Sequence, residues 1–262
     1  MTDIIWWNSL GNDLKKRLNF FIGIPNHNFS KFEKRALHFE KKIINFIDVN
    51  GVIEMPCDDK LTEIFRLEEL NLFQLNLISI EFLERFSNLK RLTLDSNNIT
   101  DITSLGNIRS LVNLSLKKNK VFSCEPLKHL QSLEYLTLNE NQIKDINPLK
   151  DLINLECLYM NDNQIKDISA LNRLNGLIEI QMSRNEIEDI SVLSELTNLT
   201  NLSFMDNQVK QIISLKSLIQ LEDLALYGNP VSLNEKRLLS DLLPKWEYEI
   251  DITDILTPFI KD

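Results

Sequence analysis

The stretch "LEYLTLNENQIKDINPL", residues 133–149, is followed 22 positions later by "LECLYMNDNQIKDISAL", residues 155–171. Both stretches place apolar residues at the same offsets, while the residues between them vary. The interval continues in both directions without an insertion. The leading leucines are Leu67, Leu89, Leu111, Leu133, Leu155, Leu177, Leu199 and Leu221. A short, constant period indicates that the chain folds as a stack of similar units rather than as a globule.

Each unit follows the pattern L-x-x-L-x-L-x-x-N-x-I-x-D-I-x-x-L-x-x-L. One unit shows it with Leu89, Leu92, Leu94, Asn97, Ile99, Asp101, Ile102, Leu105 and Ile108. The last two leucines of the first half alternate with polar residues, which indicates a short strand with one apolar face. Stacking such strands about 4.8 Å apart builds a parallel sheet over a shared core. The return half has about a dozen residues and predicts 3₁₀ or irregular turns rather than a long helix.

Two polar slots recur inside the units. An asparagine stands where the chain turns away from each strand, and we expect its side chain to bond main-chain groups that the bend leaves unpaired. The residues are Asn97, Asn119, Asn141, Asn163, Asn185, Asn207 and Asn229. A ligand-binding role for this ladder is the less favoured alternative.

An acidic slot follows, and we expect its side chains to cap the return segments. These residues are Asp101, Asp145, Asp167 and Asp189. A carboxylate ladder could attract Ca²⁺, but Ser123 and Gln211 interrupt it and no other residues supply an oxygen cage. We therefore expect no metal.

The segments "NQIKDINPL" and "NQIKDISAL" resemble the 22-residue class of leucine-rich repeat found in bacterial internalins and in eukaryotic phosphatase-regulating leucine-rich proteins. The resemblance covers residues 61–231. It implies an α/β solenoid: a curved array with a parallel β-sheet on its concave face and a 3₁₀ or irregular convex side. Members of this class typically bind proteins through the concave sheet. The pattern departs at Leu75, where the asparagine slot is apolar, and at Cys124, which fills an isoleucine slot.

A solenoid exposes its core at both ends, so we expect three regions. Residues 1–60 form a helical N-terminal cap, residues 61–231 form about eight repeats, and residues 232–262 form a C-terminal cap. Ser232 and Glu235 have the spacing of a capping box, and Pro244 stops the helix that they begin. Residues 247–256 alternate apolar and polar residues, which is typical of an edge strand. Trp6 and Trp7 either pack inside the first cap or anchor a partner.

Charge and cysteine content limit the functional classes. The net charge is -9, and residues 1–50 hold 8 Lys/Arg against 5 Asp/Glu, leaving 21 against 33 for the rest. The excess of acidic residues after residue 50 argues against binding nucleic acid. Cys57, Cys124 and Cys157 lack paired metal-ligand spacing, so we expect free thiols in a reducing compartment.

The start of the chain shows neither a basic leader nor a small-residue cleavage site, and no apolar stretch is long enough to span a membrane. These features predict a cytoplasmic protein, which we expect to be a monomer. Its richness in asparagine, isoleucine and lysine favours a low-GC bacterial source.

Function should lie on the outward strand positions, which are two, four and six residues after each leading leucine. Three of the chain's four tyrosines fall on these 24 positions, and tyrosine is enriched at interfaces. The alternative is that strands simply favour tyrosine. We predict a partner-binding face centred on Tyr135, Cys157 and Tyr159. The complete set is Phe73, Arg91, Lys117, Tyr135, Thr137, Cys157, Tyr159, Glu179, Gln181, Met205 and Tyr227.

The sequence offers little for catalysis. His27, His38 and His129 lie in a loop, on the predicted cap helix and on the convex side, with no nucleophile placed beside them. No phosphate-binding loop or zinc motif is present. We therefore expect no catalytic or cofactor-binding residues and predict a non-enzymatic protein-protein interaction module. The alternatives are a secreted or surface internalin-like host-interaction factor and a regulatory subunit of an enzyme such as a phosphatase.

Overall fold

The computed structural model describes residues 10–11 and 64–242, the last five as backbone only. Eight three-residue strands form one open sheet in chain order. They are β1 (Glu69–Asn71), β2 (Arg91–Thr93), β3 (Asn113–Ser115), β4 (Tyr135–Thr137), β5 (Cys157–Tyr159), β6 (Glu179–Gln181), β7 (Asn201–Ser203) and β8 (Asp223–Ala225). Every neighbouring pair is parallel, as predicted.

The strand register equals the repeat length. Leu92 of β2 pairs with Leu114 of β3, and Leu136 of β4 pairs with Leu158 of β5, so partners are always 22 residues apart. Equivalent side chains therefore lie next to each other throughout the array. This register is why a feature present in one coil becomes a row across the molecule.

The return segments are short 3₁₀ helices, as the length of the unit predicts. Seven occur in the part of the chain that the structure describes. They are Glu81–Arg85, Thr103–Asn107, Glu125–His129, Asn147–Leu149, Ser169–Arg173, Ser191–Glu195 and Ile213–Ser217. Because a 3₁₀ turn rises about 2.0 Å per residue, it crosses the coil with few residues.

The repeated apolar residues form one continuous core. In the second unit Leu89, Leu94 and Ile99 are completely buried, and the same slots are buried in the units that follow, up to the last one, where Leu226 and Val231 are half-buried. Cys124, which stands where the pattern has isoleucine, is 1% exposed and is therefore a small core residue, as expected. Burial, with a smaller contribution from the nearby Asp145 carboxylate, raises the pKa of this thiol to about 12.

The asparagine ladder is confirmed. Asn141 accepts a hydrogen bond from the backbone N–H of Val121 at 2.9 Å and donates to the carbonyls of Leu116 at 2.9 Å and Leu138 at 3.1 Å. Equivalent bonds recur from Asn97 to Asn229. Each side chain thus satisfies buried backbone groups in its own coil and in the coil before it.

The aspartate caps are also confirmed. Asp145 and Asp167 each accept the backbone N–H two residues ahead, at 2.8 Å, where the 3₁₀ segment begins. Asp101 and Asp189 do the same. Ser123 interrupts the row of carboxylates, as expected, but its hydroxyl accepts the N–H of Glu125 at 3.2 Å and so provides the equivalent cap. A short hydroxyl reaches the same amide that the carboxylate reaches.

A row of left-handed residues runs beside the strands, seven positions after each leading leucine. Its non-glycine members are Gln74, Ser96, Lys118, Glu140, Asp162, Arg184 and Asp206, with φ between 52° and 57°. The N–H of Lys118 donates to the carbonyl of Asn139 in the next coil at 2.8 Å, and the other members make the equivalent bond. This bond between coils offsets the unfavourable backbone conformation.

The described chain closes with a helix at Leu233–Leu242. Its predicted capping box is half formed: the N–H of Glu235 donates to the Ser232 hydroxyl at 3.2 Å, but the Glu235 carboxylate accepts the N–H of Ile212 at 3.0 Å. The helix is thereby attached to the last 3₁₀ segment. The predicted N-terminal helices, Trp6 and Trp7, Pro244 and the edge strand at 247–256 lie outside the described residues. In the described ranges no helix is long and apolar enough to cross a membrane.

Candidate functional site

The outward side of the eight strands and of the two residues that follow each strand is here called the sheet face. It carries the eleven residues predicted to bind a partner: seven lie on the strands, and Phe73, Lys117, Met205 and Tyr227 lie two residues beyond a strand end. Five of them are exposed: Phe73 (44%), Tyr135 (39%), Tyr227 (62%), Arg91 and Lys117. The other six are half-buried. The fold brings these side chains onto one face; whether they bind a partner stays a prediction.

The predicted centre is contiguous. Tyr135 of β4 is the direct neighbour of Cys157 of β5, and Thr137 is the neighbour of Tyr159. The Tyr135 hydroxyl donates to Glu156 at 3.3 Å, and the Tyr159 hydroxyl donates to Glu179 at 2.9 Å. Both rings are therefore held in place by a carboxylate.

Hydrogen bonds extend from this centre across β6. Gln181 donates from its amide nitrogen to Glu179 at 2.7 Å, and Asn161 donates to the Gln181 side-chain oxygen at 3.2 Å. The Glu179 carboxylate thus accepts from two side chains. Burial chiefly raises the pKa of Tyr159, and the hydrogen bond to Glu179 raises it further, so its hydroxyl stays protonated and keeps donating.

The outward strand position of Cys157 predicts an exposed thiol, but this is wrong: the residue is half-buried between Tyr135 and Glu179. Burial chiefly raises the pKa of its thiol, the hydrogen bond with Tyr159 opposes that shift, and Glu179 and Glu156 add to it. A raised pKa reduces the thiolate fraction at neutral pH. The surroundings of Cys157 therefore do not favour a reactive thiolate.

A second side-chain ladder, which the sequence analysis did not detect, occupies the outward positions six residues after the leading leucines. Asp95, Asn139 and Asn161 each use a side-chain oxygen to accept the N–H 22 residues ahead, at 2.7–2.9 Å. Ser183 accepts the N–H of Met205 at 3.0 Å and is only 2% exposed. These outward residues therefore serve the fold, and Ser183 is a buried member of a face predicted to be open.

Two carboxylates near the centre were also missed. Glu134 and Glu156 stand one residue after their leading leucines, outside the positions that the sequence analysis took as outward. Glu156 nevertheless accepts the Tyr135 hydroxyl, and both raise the pKa of Tyr135, Glu156 being its largest cause. In the sequence Glu134 directly precedes Tyr135 and Glu156 directly precedes Cys157, and this adjacency could have identified both carboxylates as part of the centre.

The described residues contain no group of three or more metal-ligating side chains close enough to hold an ion. Cys124 and Cys157 are free thiols. His129 is exposed at the end of a 3₁₀ segment, whereas His27, His38 and Cys57 lie outside the described residues.

Comparison with known proteins agrees with this architecture. A family model described as leucine-rich repeats (2 copies) matches residues 153–195. Among solved structures, internalin F of Listeria monocytogenes is 32% identical, with a TM-score of 0.68 over 71% of this chain and 55% of its own. Internalin C2 of the same organism is 29% identical, with a TM-score of 0.68 over 84% of each chain.

A leucine-rich repeat protein of Leptospira interrogans is 27% identical, with a TM-score of 0.67 over 72% of this chain and 50% of its own. This chain therefore spans only about half of two of these three relatives. No curated protein sequence gave a significant match.

The eight-stranded parallel sheet, the 3₁₀ returns and the asparagine ladder define a leucine-rich repeat solenoid. The chain has the leucine-rich repeat fold, and it resembles the internalins. Proteins of this class are protein-interaction modules and are typically non-enzymatic.

Proposed function

We propose that this chain is a non-enzymatic recognition module that binds a protein partner through the sheet face, centred on Tyr135, Cys157 and Tyr159. The observation that carries the proposal is an open parallel sheet with two tyrosines on adjacent strands, each of which donates its hydroxyl to a glutamate. Rigid aromatic side chains supply contact area with little loss of conformational entropy, which is why they dominate binding energy at interfaces.

The sheet face is large enough for such a role. Eight strands span about 34 Å, enough for an interface of roughly 800 Å² on each partner. Exposed Phe73 and Tyr227 stand on the first and last repeats, so aromatic contacts are available along the whole length. The free thiols of Cys124 and Cys157 favour a cytoplasmic partner.

The proposal is tested by affinity capture from the native organism with quantitative mass spectrometry. Tyr135→Ala combined with Tyr159→Ala should reduce the captured partner by at least about tenfold, since central aromatic contacts carry most of the binding energy. The matched control is Ile78→Ala with Phe122→Ala, which removes two exposed apolar side chains away from the sheet face. Unchanged capture by the folded tyrosine variant would refute the sheet face as the binding surface.

A second candidate is a secreted or surface-displayed host-interaction factor. The similarity to two internalins, at 32% and 29% identity, favours it. Fractionation of intact cells decides between the two: protein recovered only from the cytosol supports the first candidate, and protein at the surface or in the medium supports the second.

A further inference from the structure

The charges along the sheet face are unequally distributed. The entry edge is defined here as the first two positions after the leading leucine of the last five repeats, at 134–135, 156–157, 178–179, 200–201 and 222–223. It holds five carboxylates and no lysine or arginine. The carboxylates are Glu134, Glu156, Glu179, Glu222 and Asp223.

In the first two repeats the charges at the same positions are compensated, and in the third repeat these positions are uncharged. Lys90 pairs with Glu68 at 3.0 Å, and Arg91 pairs with Glu69. Two ion pairs lie beyond the other end of the strands, six or seven residues after a leading leucine: Lys117 pairs with Glu140 at 3.4 Å, and Arg184 pairs with Asp162. Within the described residues, none of the five entry-edge carboxylates has an ion-pair partner. Glu156, Glu179 and Asp223 accept side-chain hydrogen bonds only from neutral donors, so the negative charge of the entry edge is not neutralised.

The loop positions that lead directly into the entry edge are uncharged. The two positions before each leading leucine, from 131–132 to 219–220, carry no charged residue in these repeats. They contribute exposed apolar surface instead: Ile153 is 60% exposed and Ile219 is 70% exposed. Ile178 (41%) and Tyr135 (39%) add to it within the edge itself. The surface thus alternates uncompensated carboxylates with apolar and aromatic side chains.

We infer that the entry edge binds a lysine- or arginine-rich segment of the protein partner, with apolar residues between its basic ones. The inference rests on the proposed function and adds the chemistry of the partner to it. Carboxylates would attract the cationic side chains, and Tyr135 would contact their charged heads or alkyl stems. From β4 to β8 the edge spans about 19 Å, which an extended segment covers with about six residues.

The test uses the full chain and a fluorescein-labelled peptide that alternates arginine with leucine, titrated by fluorescence anisotropy at low and physiological salt. Glu134→Gln with Glu156→Gln should weaken binding roughly tenfold, and added salt should weaken binding to the unmodified chain. The control, Asp151→Asn with Glu188→Gln, changes net charge equally at exposed sites off the sheet face and should leave the affinity unchanged. A peptide with glutamate in place of arginine should not bind.

Equal weakening by both variants, or no binding of the arginine peptide, would overturn the inference. Both charge variants are also carried through the partner capture described above. A partner that is lost with the tyrosine variant but retained by Glu134→Gln with Glu156→Gln overturns the charge inference alone. A partner that is retained by the tyrosine variant refutes the proposed function instead.

Discussion

At the residue scale, single polar side chains connect one coil to the next. Asp95 is the charged member of the second ladder: one of its oxygens accepts the Ser115 hydroxyl at 2.5 Å and the backbone N–H of Lys117 at 2.9 Å. Burial raises the pKa of Asp95, and these two hydrogen bonds and the Lys117 charge only partly oppose that shift. Asn139 and Asn161 perform the same task without a charge.

We therefore expect Asp95→Asn to stabilise the protein at neutral pH by about 0.5 kcal/mol, because the amide oxygen keeps both bonds and no charge is buried. A carboxyl with a raised folded pKa is destabilising above that pKa. The penalty disappears as pH falls through the folded pKa toward the unfolded value of about 3.9. Urea unfolding at neutral and acidic pH measures the difference.

Asp151→Asn is the control for net charge, since Asp151 is exposed. It should change the free energy of unfolding little at either pH. An Asp95→Asn variant that is less stable than the parent at neutral pH would contradict the account.

At the scale of the element, the asparagine ladder decides whether the turn after each strand can be buried. Asn141 is 8% exposed and serves backbone groups of two coils at once. The short 3₁₀ returns contribute less, since they are held by one side-chain cap and a few backbone bonds.

Replacement of Asn141 by alanine should lower the free energy of unfolding by about 3 kcal/mol or more, because it leaves a buried N–H and two buried carbonyls without this partner. Gln142→Ala is the matched control at an exposed neighbouring site. Chemical denaturation of both variants measures the difference. A loss below about 1 kcal/mol for Asn141→Ala would show that water or rearranged backbone satisfies these groups.

At the scale of the whole molecule, stability is a sum of coils and of the interfaces between neighbours. Every strand pairing, ladder and core contact repeats at 22 residues. Removal of one complete unit, residues 133–154, would bring β3 against β5 with Leu114 opposite Leu158 in the native register.

We expect that deletion to keep cooperative unfolding and the far-ultraviolet dichroism of the parent, with a denaturant m-value lower by about a tenth because less surface is exposed on unfolding. A deletion ending two residues earlier, 133–152, leaves a unit of 24 residues between Leu111 and Leu155, which disturbs the register at the new junction of β3 and β5 and should lower the free energy of unfolding relative to the 22-residue deletion. Similar stability for both deletions would mean that register is not what holds the array together.

The sequence by itself determined the repeat length, the parallel sheet, the buried slots, the asparagine ladder and the aspartate caps. Each of these depends on a residue type that recurs at one offset, as Leu136 and Leu158 or Asn141 and Asn163 do. A slot that is buried in every coil tolerates few residue types, so its chemistry is readable from the pattern.

Only the tertiary structure decided the left-handed row, the second ladder and the uncompensated charge of the entry edge. The left-handed positions hold residues as different as Lys118 and Asp162, because a backbone bond between coils, rather than the side chain, stabilises them. Likewise, the adjacent coil places Lys90 beside Glu68 but the neutral Tyr135 beside Glu156, so that only Glu68 has an ion pair in the described part of the chain. Such neighbours are 22 residues apart in the chain and meet only when the coils stack.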